Sequence, residues 1–126
     1  MSATFEAAPG GTGIIRISEK LSLQEFAKVQ QEAAAFLRGR GRGRLMIIAV
    51  GFEGWEQGGG WEDQGFQEEN DSRIERMAIV VEKSWEDLAL AFVGKGLRPF
   101  PIEYFNPAEL DKARAWLSGQ EASGRA

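Results

Sequence analysis

The sequence predicts an α/β domain: an N-terminal β-hairpin, then successive right-handed β-α units. The result is a five-stranded mixed, mostly parallel sheet with about four helices. Three observations carry this. Residues 45–50, Leu-Met-Ile-Ile-Ala-Val, are an unbroken apolar run stopped by Gly51, as in a strand buried on both faces. Residues 74–81, Ile-Glu-Arg-Met-Ala-Ile-Val-Val, repeat that character in their second half. Around these runs lie capped helical patterns, and β-α-β alternation demands parallel strands.

Taken in order, Phe5 to Ala8 leads into the turn cluster Pro9-Gly10-Gly11-Thr12-Gly13, and Ile14-Ile15-Arg16-Ile17 returns as a second strand. Alternation puts Ile15 and Ile17 on one face, Ile14 and Arg16 on the other. Ser22 stands three residues before Glu25, the spacing of a capping box. The first helix presents Leu23, Phe26, Ala27, Gln30, Ala33, Ala34 and Leu37 on one face and ends at Gly39. The Arg-Gly run 38–44 reads as a C-cap and loop, with cations suiting the negative end of the helix dipole. The competing reading is an RGG-like phosphate contact, but no aromatics interleave the arginines.

After the 45–50 strand, Gly58-Gly59-Gly60 breaks any helix starting at Trp55. A short helix over 61–69 follows, weakened by Gly65. Beyond strand 74–81, Ser84 and Asp87 repeat the cap spacing, and Trp85, Leu88, Ala89 and Phe92 fall at i, i+3, i+4, i+7 in a helix that stops at Gly94 or Gly96. The last strand, 97–105, carries Phe100, Ile102 and Tyr104 on one face. Pro99, Pro101, Glu103 and Phe105 lie on the other, and two prolines restrict it to a sheet edge. Asn106-Pro107-Ala108-Glu109 opens a final amphipathic helix bearing Leu110, Ala113, Trp116 and Leu117. Residues 1–126 read as one domain, with 118–126 a disordered tail. If each strand adds on the same side of the last, the helices gather on one face and no strand-order reversal forms. The usual ligand crevice of α/β sheets is then missing.

Composition narrows the chemistry. The chain has no Cys and no His. It therefore lacks a thiol nucleophile, a disulfide framework, the commonest general base and the commonest transition-metal ligand. A net charge of −4 lacks the basic footprint of a nucleic-acid binder. No apolar run reaches membrane-span length and no signal-peptide pattern opens the chain, so the expectation is a soluble cytoplasmic protein with no cofactor.

One set of residues resembles a known family. Phe52-Glu53-Gly54-Trp55, Trp61-Glu62-Asp63 with Phe66, and Arg73-Ile74-Glu75-Arg76-Met77-Ala78-Ile79-Val80 carry the match. Lys83 with Trp85-Glu86, Tyr104-Phe105-Asn106-Pro107-Ala108-Glu109 and Ala115-Trp116-Leu117 extend it. Over roughly residues 13–118 this pattern is similar to the SpoIIAA-like (STAS/SEC14-type) family of small bacterial proteins. The resemblance implies successive right-handed β-α units, as in anti-sigma-factor antagonists and the lipid-binding lobe of CRAL/TRIO proteins, and brings no defined activity. Antagonist-type members place a phosphorylatable Ser or Thr at the helix start after the central strand, whereas residues 51–60 here contain neither.

Seven residues make the candidate ligand site: Phe52, Glu53, Trp55, Trp61, Phe66, Lys83 and Trp85. Their aromatics would line a pocket at the carboxyl ends of strands 45–50 and 74–81, or else cap the core. Glu53, Glu62 and Asp63 could gather a hard cation, but they read better as solvated and helix-start charges. Lys83, with Glu82, precedes a helix and could meet an anion there, although a surface ion pair is the simpler reading. No catalytic or metal-binding residue is assigned. The sequence-level expectation is a non-catalytic interaction or regulatory module that docks to a protein partner or to itself as a homodimer, with Ile14 and Pro101 on its exposed faces. The alternative is a binder of a lipid or other small apolar ligand.

Overall fold

The computed structural model describes residues 3–8, 10–56, 70–96 and 98–118. The chain order is β1 (Ala3–Ala8), β2 (Thr12–Ile17), β3 (Glu19–Leu21), α1 (Leu23–Arg40), β4 (Gly43–Ala49), β5 (Phe52–Trp55) and β6 (Ile74–Val81). It continues with α2 (Glu86–Val93), β7 (Ile102–Phe105) and α3 (Leu110–Leu117). Five strands form one sheet in the order β1-β2-β4-β6-β7. β1 and β2 are an antiparallel hairpin, with Phe5 opposite Ile15, and the pairs β2-β4, β4-β6 and β6-β7 are all parallel. The predicted mixed, mostly parallel sheet is therefore present, and each successive parallel strand lies beyond the last with no reversal. The helix expected over 61–69, with Trp61, Glu62, Asp63 and Phe66, lies outside the described residues, as does most of the expected tail, 119–126.

Period-2 alternation sorts the side chains into two cores. Ile15, Ile17, Leu45, Ile47, Ala49, Met77, Ile79 and Val81 face α1 and α2, where Val29, Ala33, Leu37 and Val93 meet them. On the opposite face Ile14, Met46, Ala78, Val80 and Phe105 meet Ala113, Trp116 and Leu117 of α3. The helices thus do not gather on one face. The right-handed crossover constrains only a helix that joins two parallel strands of the sheet. α3 follows the last strand and returns to none, so it is free to cover the other face. This also corrects Ile14, expected on an exposed face: it is 6% exposed, beneath α3. Pro101 is exposed, as expected.

The caps explain where the helices begin and end. The Ser22 side chain accepts from the Glu25 N–H at 3.0 Å, and the Glu25 carboxylate accepts from the Ala3 N–H at 3.2 Å, tying α1 to β1. α1 runs past Gly39 to Arg40 and is capped by Gly41 at φ 86°, whose N–H reaches Leu37 O at 2.8 Å. Its buried stripe is Val29-Ala33-Leu37, while Ala27 is exposed. The Ser84/Asp87 cap does not form. A 3-10 turn over Lys83–Trp85 leads into α2, and no side chain caps it. That tighter turn rotates the helix phase. Leu88, expected on the buried face, is 53% exposed, and Leu90 packs inward instead. The Asn106 box is complete, with Asn106 Oδ1 accepting from the Ala108 N–H at 2.9 Å and Glu109 Oε1 accepting from the Asn106 N–H at 3.1 Å. The last strand is shorter than expected, because residues 98–101 form bends and an extended link.

Two short strands were not expected. β3 and β5 pair parallel as a separate two-stranded sheet, with Leu21 opposite Trp55 and a register shift after Glu19. Glu19 carries φ 57°, and its N–H donates to Gly51 O at 3.0 Å. Gly54 sits at φ 102°, and a Cβ there would stand 3.7 Å from the Trp85 ring. A residue with a side chain would be strained at that angle, so Gly54 lets β5 pass beneath the indole. This small sheet places Phe52 and Trp55.

Candidate functional site: an aromatic-walled apolar cavity

Between the sheet and the two helices on its larger face lies a cavity of about 100 Å³. Its floor is Leu45, Ile47 and Ala49 of β4 with Met77, Ile79 and Val81 of β6. Phe26 and Gln30 of α1 form one wall, Ala89, Phe92 and Val93 of α2 another, and Phe52 and Trp55 of β5 close the end. Arg98 contributes the one charged lining side chain among the described residues. The cavity therefore lies over the face of the sheet and extends to its carboxyl end, where Ala49 and Val81, the last residues of β4 and β6, join Phe52 and Trp55 in its lining. The monotonic strand order leaves no crevice between diverging connections at the sheet edge.

The aromatics form a connected chain. Trp85 meets Phe52 edge-on at 4.9 Å, Phe52 lies 5.8 Å from Trp55, Trp55 stacks on Phe92 at 5.1 Å and Phe92 lies 5.5 Å from Phe26, all between ring centroids. These separations are those of favourable ring contacts, which hold a wall in place without filling the space beside it. Phe52 and Trp55 line the cavity, whereas Trp85 supports it from behind Phe52.

The charged candidates lie elsewhere. Glu53 is exposed on β5 and does not line the cavity. The Lys83 ammonium is 2.9 Å from Glu86 Oε1 and sits 6.0 Å above the Tyr104 ring. Its pKa is raised, chiefly by that hydrogen bond and the Glu86 charge. The Tyr104 hydroxyl donates to Val81 O at 3.0 Å, and burial is the main cause of its raised pKa. Trp61 and Phe66 lie outside the described residues. Among the described residues no three carboxylates gather into a cation site.

Arg98 was overlooked in the sequence, and it is the most buried partner in an ion pair among the described residues. Its Nε and Nη2 donate to the two carboxylate oxygens of Asp71 at 3.0 and 2.6 Å, its Nη1 donates to Val93 O at 3.0 Å, and its guanidinium lies 4.8 Å from the Phe100 centroid. With side-chain exposures of 6% and 16% for Arg98 and Asp71, this is a bidentate pair shielded from water. No spacing rule links residues 71 and 98, so the pair could not be read locally. Phe26 and Phe92 were legible as core positions of their helices, but not as a cavity wall. The Arg-Gly loop is tied down: Arg44 Nε is 3.2 Å and Arg42 Nε 4.0 Å from the Glu75 carboxylate, Arg44 also donates to Gly10 O, and Arg40 lies over Phe36.

A one-layer parallel sheet with a leading hairpin, monotonic strand order and helices on both faces defines a mixed α/β domain of the SpoIIAA type. Residues 13–118 match the SpoIIAA-like family, and the chain belongs to it. In three dimensions it is similar to the crystal structure of an uncharacterized protein of the DUF3478 family with a SpoIIAA-like fold, from Shewanella loihica PV-4. The TM-score is 0.67 at 16% identity, over 91% of each chain. At that identity the likeness establishes the fold. No curated protein matches the chain by sequence. No helix among the described residues is long and apolar enough to cross a membrane.

Proposed function

We propose that this protein is a non-catalytic binding module that takes up a small apolar ligand in the cavity beneath α1 and α2. The cavity itself carries this reading. A void of about 100 Å³ walled by Phe, Trp, Ile, Leu and Val is of the order of the ~150 Å³ apolar cavity that stays dry and takes up benzene. That size suits a ring-sized guest better than a long acyl chain, so within the lipid-or-small-molecule alternative the geometry favours the small molecule. The reading of a docking module loses one of its supports, because Ile14 is buried under α3.

The test is titration of the whole protein with toluene, followed by tryptophan fluorescence and by melting temperature. Trp55 lines the cavity, so saturable quenching or a spectral shift is expected, together with a concentration-dependent rise in melting temperature. Ala89→Phe, which places a ring inside the cavity, should abolish both responses while the protein stays folded. A wild-type protein that shows neither response up to the solubility limit of toluene would refute the proposal.

A further inference from the structure

The cavity wall is mainly hydrocarbon, and among its described lining residues Arg98 and Gln30 differ in state. All three nitrogens of the Arg98 guanidinium are engaged, two by Asp71 and one by Val93 O, and the group lies against the Phe100 ring. Its charge is matched by a carboxylate of low exposure. An anionic guest would compete with Asp71 for Arg98 and place a second negative charge beside that carboxylate, which is costly in a low-dielectric site. No carboxylate lines the cavity among the described residues to receive a cationic guest. Gln30 is the contrast. It stands half-buried on α1, one turn after Phe26, lines the cavity, and its amide forms no hydrogen bond among the described residues. An amide at the wall of an apolar cavity can exchange water for a hydrogen-bonding group of the guest.

Resting on the binding function proposed above, we infer that the ligand is an uncharged, mainly hydrocarbon molecule with one hydrogen-bonding oxygen, which the Gln30 amide receives. A phenol, a short-chain alcohol or a ketone has this chemistry; a carboxylic acid, ionised at neutral pH, does not. Gln30 thereby acts as the specificity residue of an otherwise unselective cavity.

Toluene and phenol are matched in size and differ only in the group under test, and benzoate puts an ionised carboxylate on the same ring. Their dissociation constants are to be measured on the wild type and on Gln30→Leu and Gln30→Met, which keep the helix propensity of the position but remove the amide, Met also keeping its length. The informative quantity is the phenol-to-toluene ratio of dissociation constants within each protein, since it cancels any general change in the cavity. Loss of one net hydrogen bond should raise that ratio about 2- to 10-fold in both variants. Benzoate should bind more weakly than phenol to all three proteins. An unchanged ratio, or benzoate binding as well as phenol, overturns the inference and leaves the apolar site standing. Failure of toluene to bind the wild type overturns both.

Discussion

On one face of the sheet Trp116 closes over Ile14, Met46, Ala78, Val80 and Phe105 beneath α3, the one helix described on that face. On the other, two helices and β5 frame a larger core that keeps about 100 Å³ open. The strands are shared, so the difference lies in what meets them. On the α3 face the small residues Ala78 and Ala113, both with no exposed surface, are matched by a large one: Trp116 packs in the same cluster, 6.1 Å from Phe105 between centroids. Arg76 adds a contact at 4.9 Å over the indole and donates to Trp116 O at 2.6 Å. On the cavity face Ala49 and Ala89 line open space, and the Trp55 and Phe92 rings that line it with them stack on one another. An alanine in a strand is therefore either the socket of a large neighbour or the floor of a void, depending on residues far away in the chain.

The contrast can be broken most forcefully on the closed face. Trp116→Ala removes its largest side chain and should cost about 3–5 kcal/mol, read as a lower urea midpoint. A loss under about 1 kcal/mol would mean that this face is not the packed one. A matched pair sharpens the comparison. Ala78→Val, which adds two methyl groups to the filled face, should cost about 1–3 kcal/mol. Ala49→Val adds the same groups to the cavity floor and should change stability by less than about 1 kcal/mol while weakening toluene binding. Equal costs in the two variants would contradict the packing difference.

The smallest effect concerns Tyr104, which packs against the cavity-side core. Its pKa is raised by burial, so the folded state holds the phenolic proton more tightly than the unfolded chain does. The resulting stability is fully present below the unfolded value of about 10 and is lost as pH rises through the higher folded value. Tyr104→Phe should flatten this alkaline loss and cost about 1 kcal/mol at neutral pH, through loss of the bond to Val81 O. An unaltered stability profile above pH 10 in the variant would assign the loss to other groups.

Much of the fold was legible locally. The 45–50 and 74–81 runs announced the central strands, Pro9 to Gly13 the hairpin, Ser22 and Asn106 the caps, and Pro99 and Pro101 the edge. Each of these signals acts within a few residues. The misreadings arose where a local rule met a longer-range competitor. Ser84 lost its cap to a 3-10 turn, which also turned Leu88 outward, and β3 and β5 are too short to announce themselves without each other. The candidate site was half legible: Phe52 and Trp55 line the cavity, but Gln30, Phe92 and Arg98 join them only after folding.

By itself, then, the sequence determined the hairpin, the parallel order of β-α units, the edge strand and the absence of histidine and cysteine chemistry, because periodicity, caps and composition are properties of short stretches. Tertiary structure alone decided that α3 crosses to the second face, that Ile14 is covered, that Arg98 is neutralised by Asp71 and that a cavity remains beside Trp55. A void is the space left by side chains from seven elements and the turn at Arg98, and no single stretch of chain encodes it.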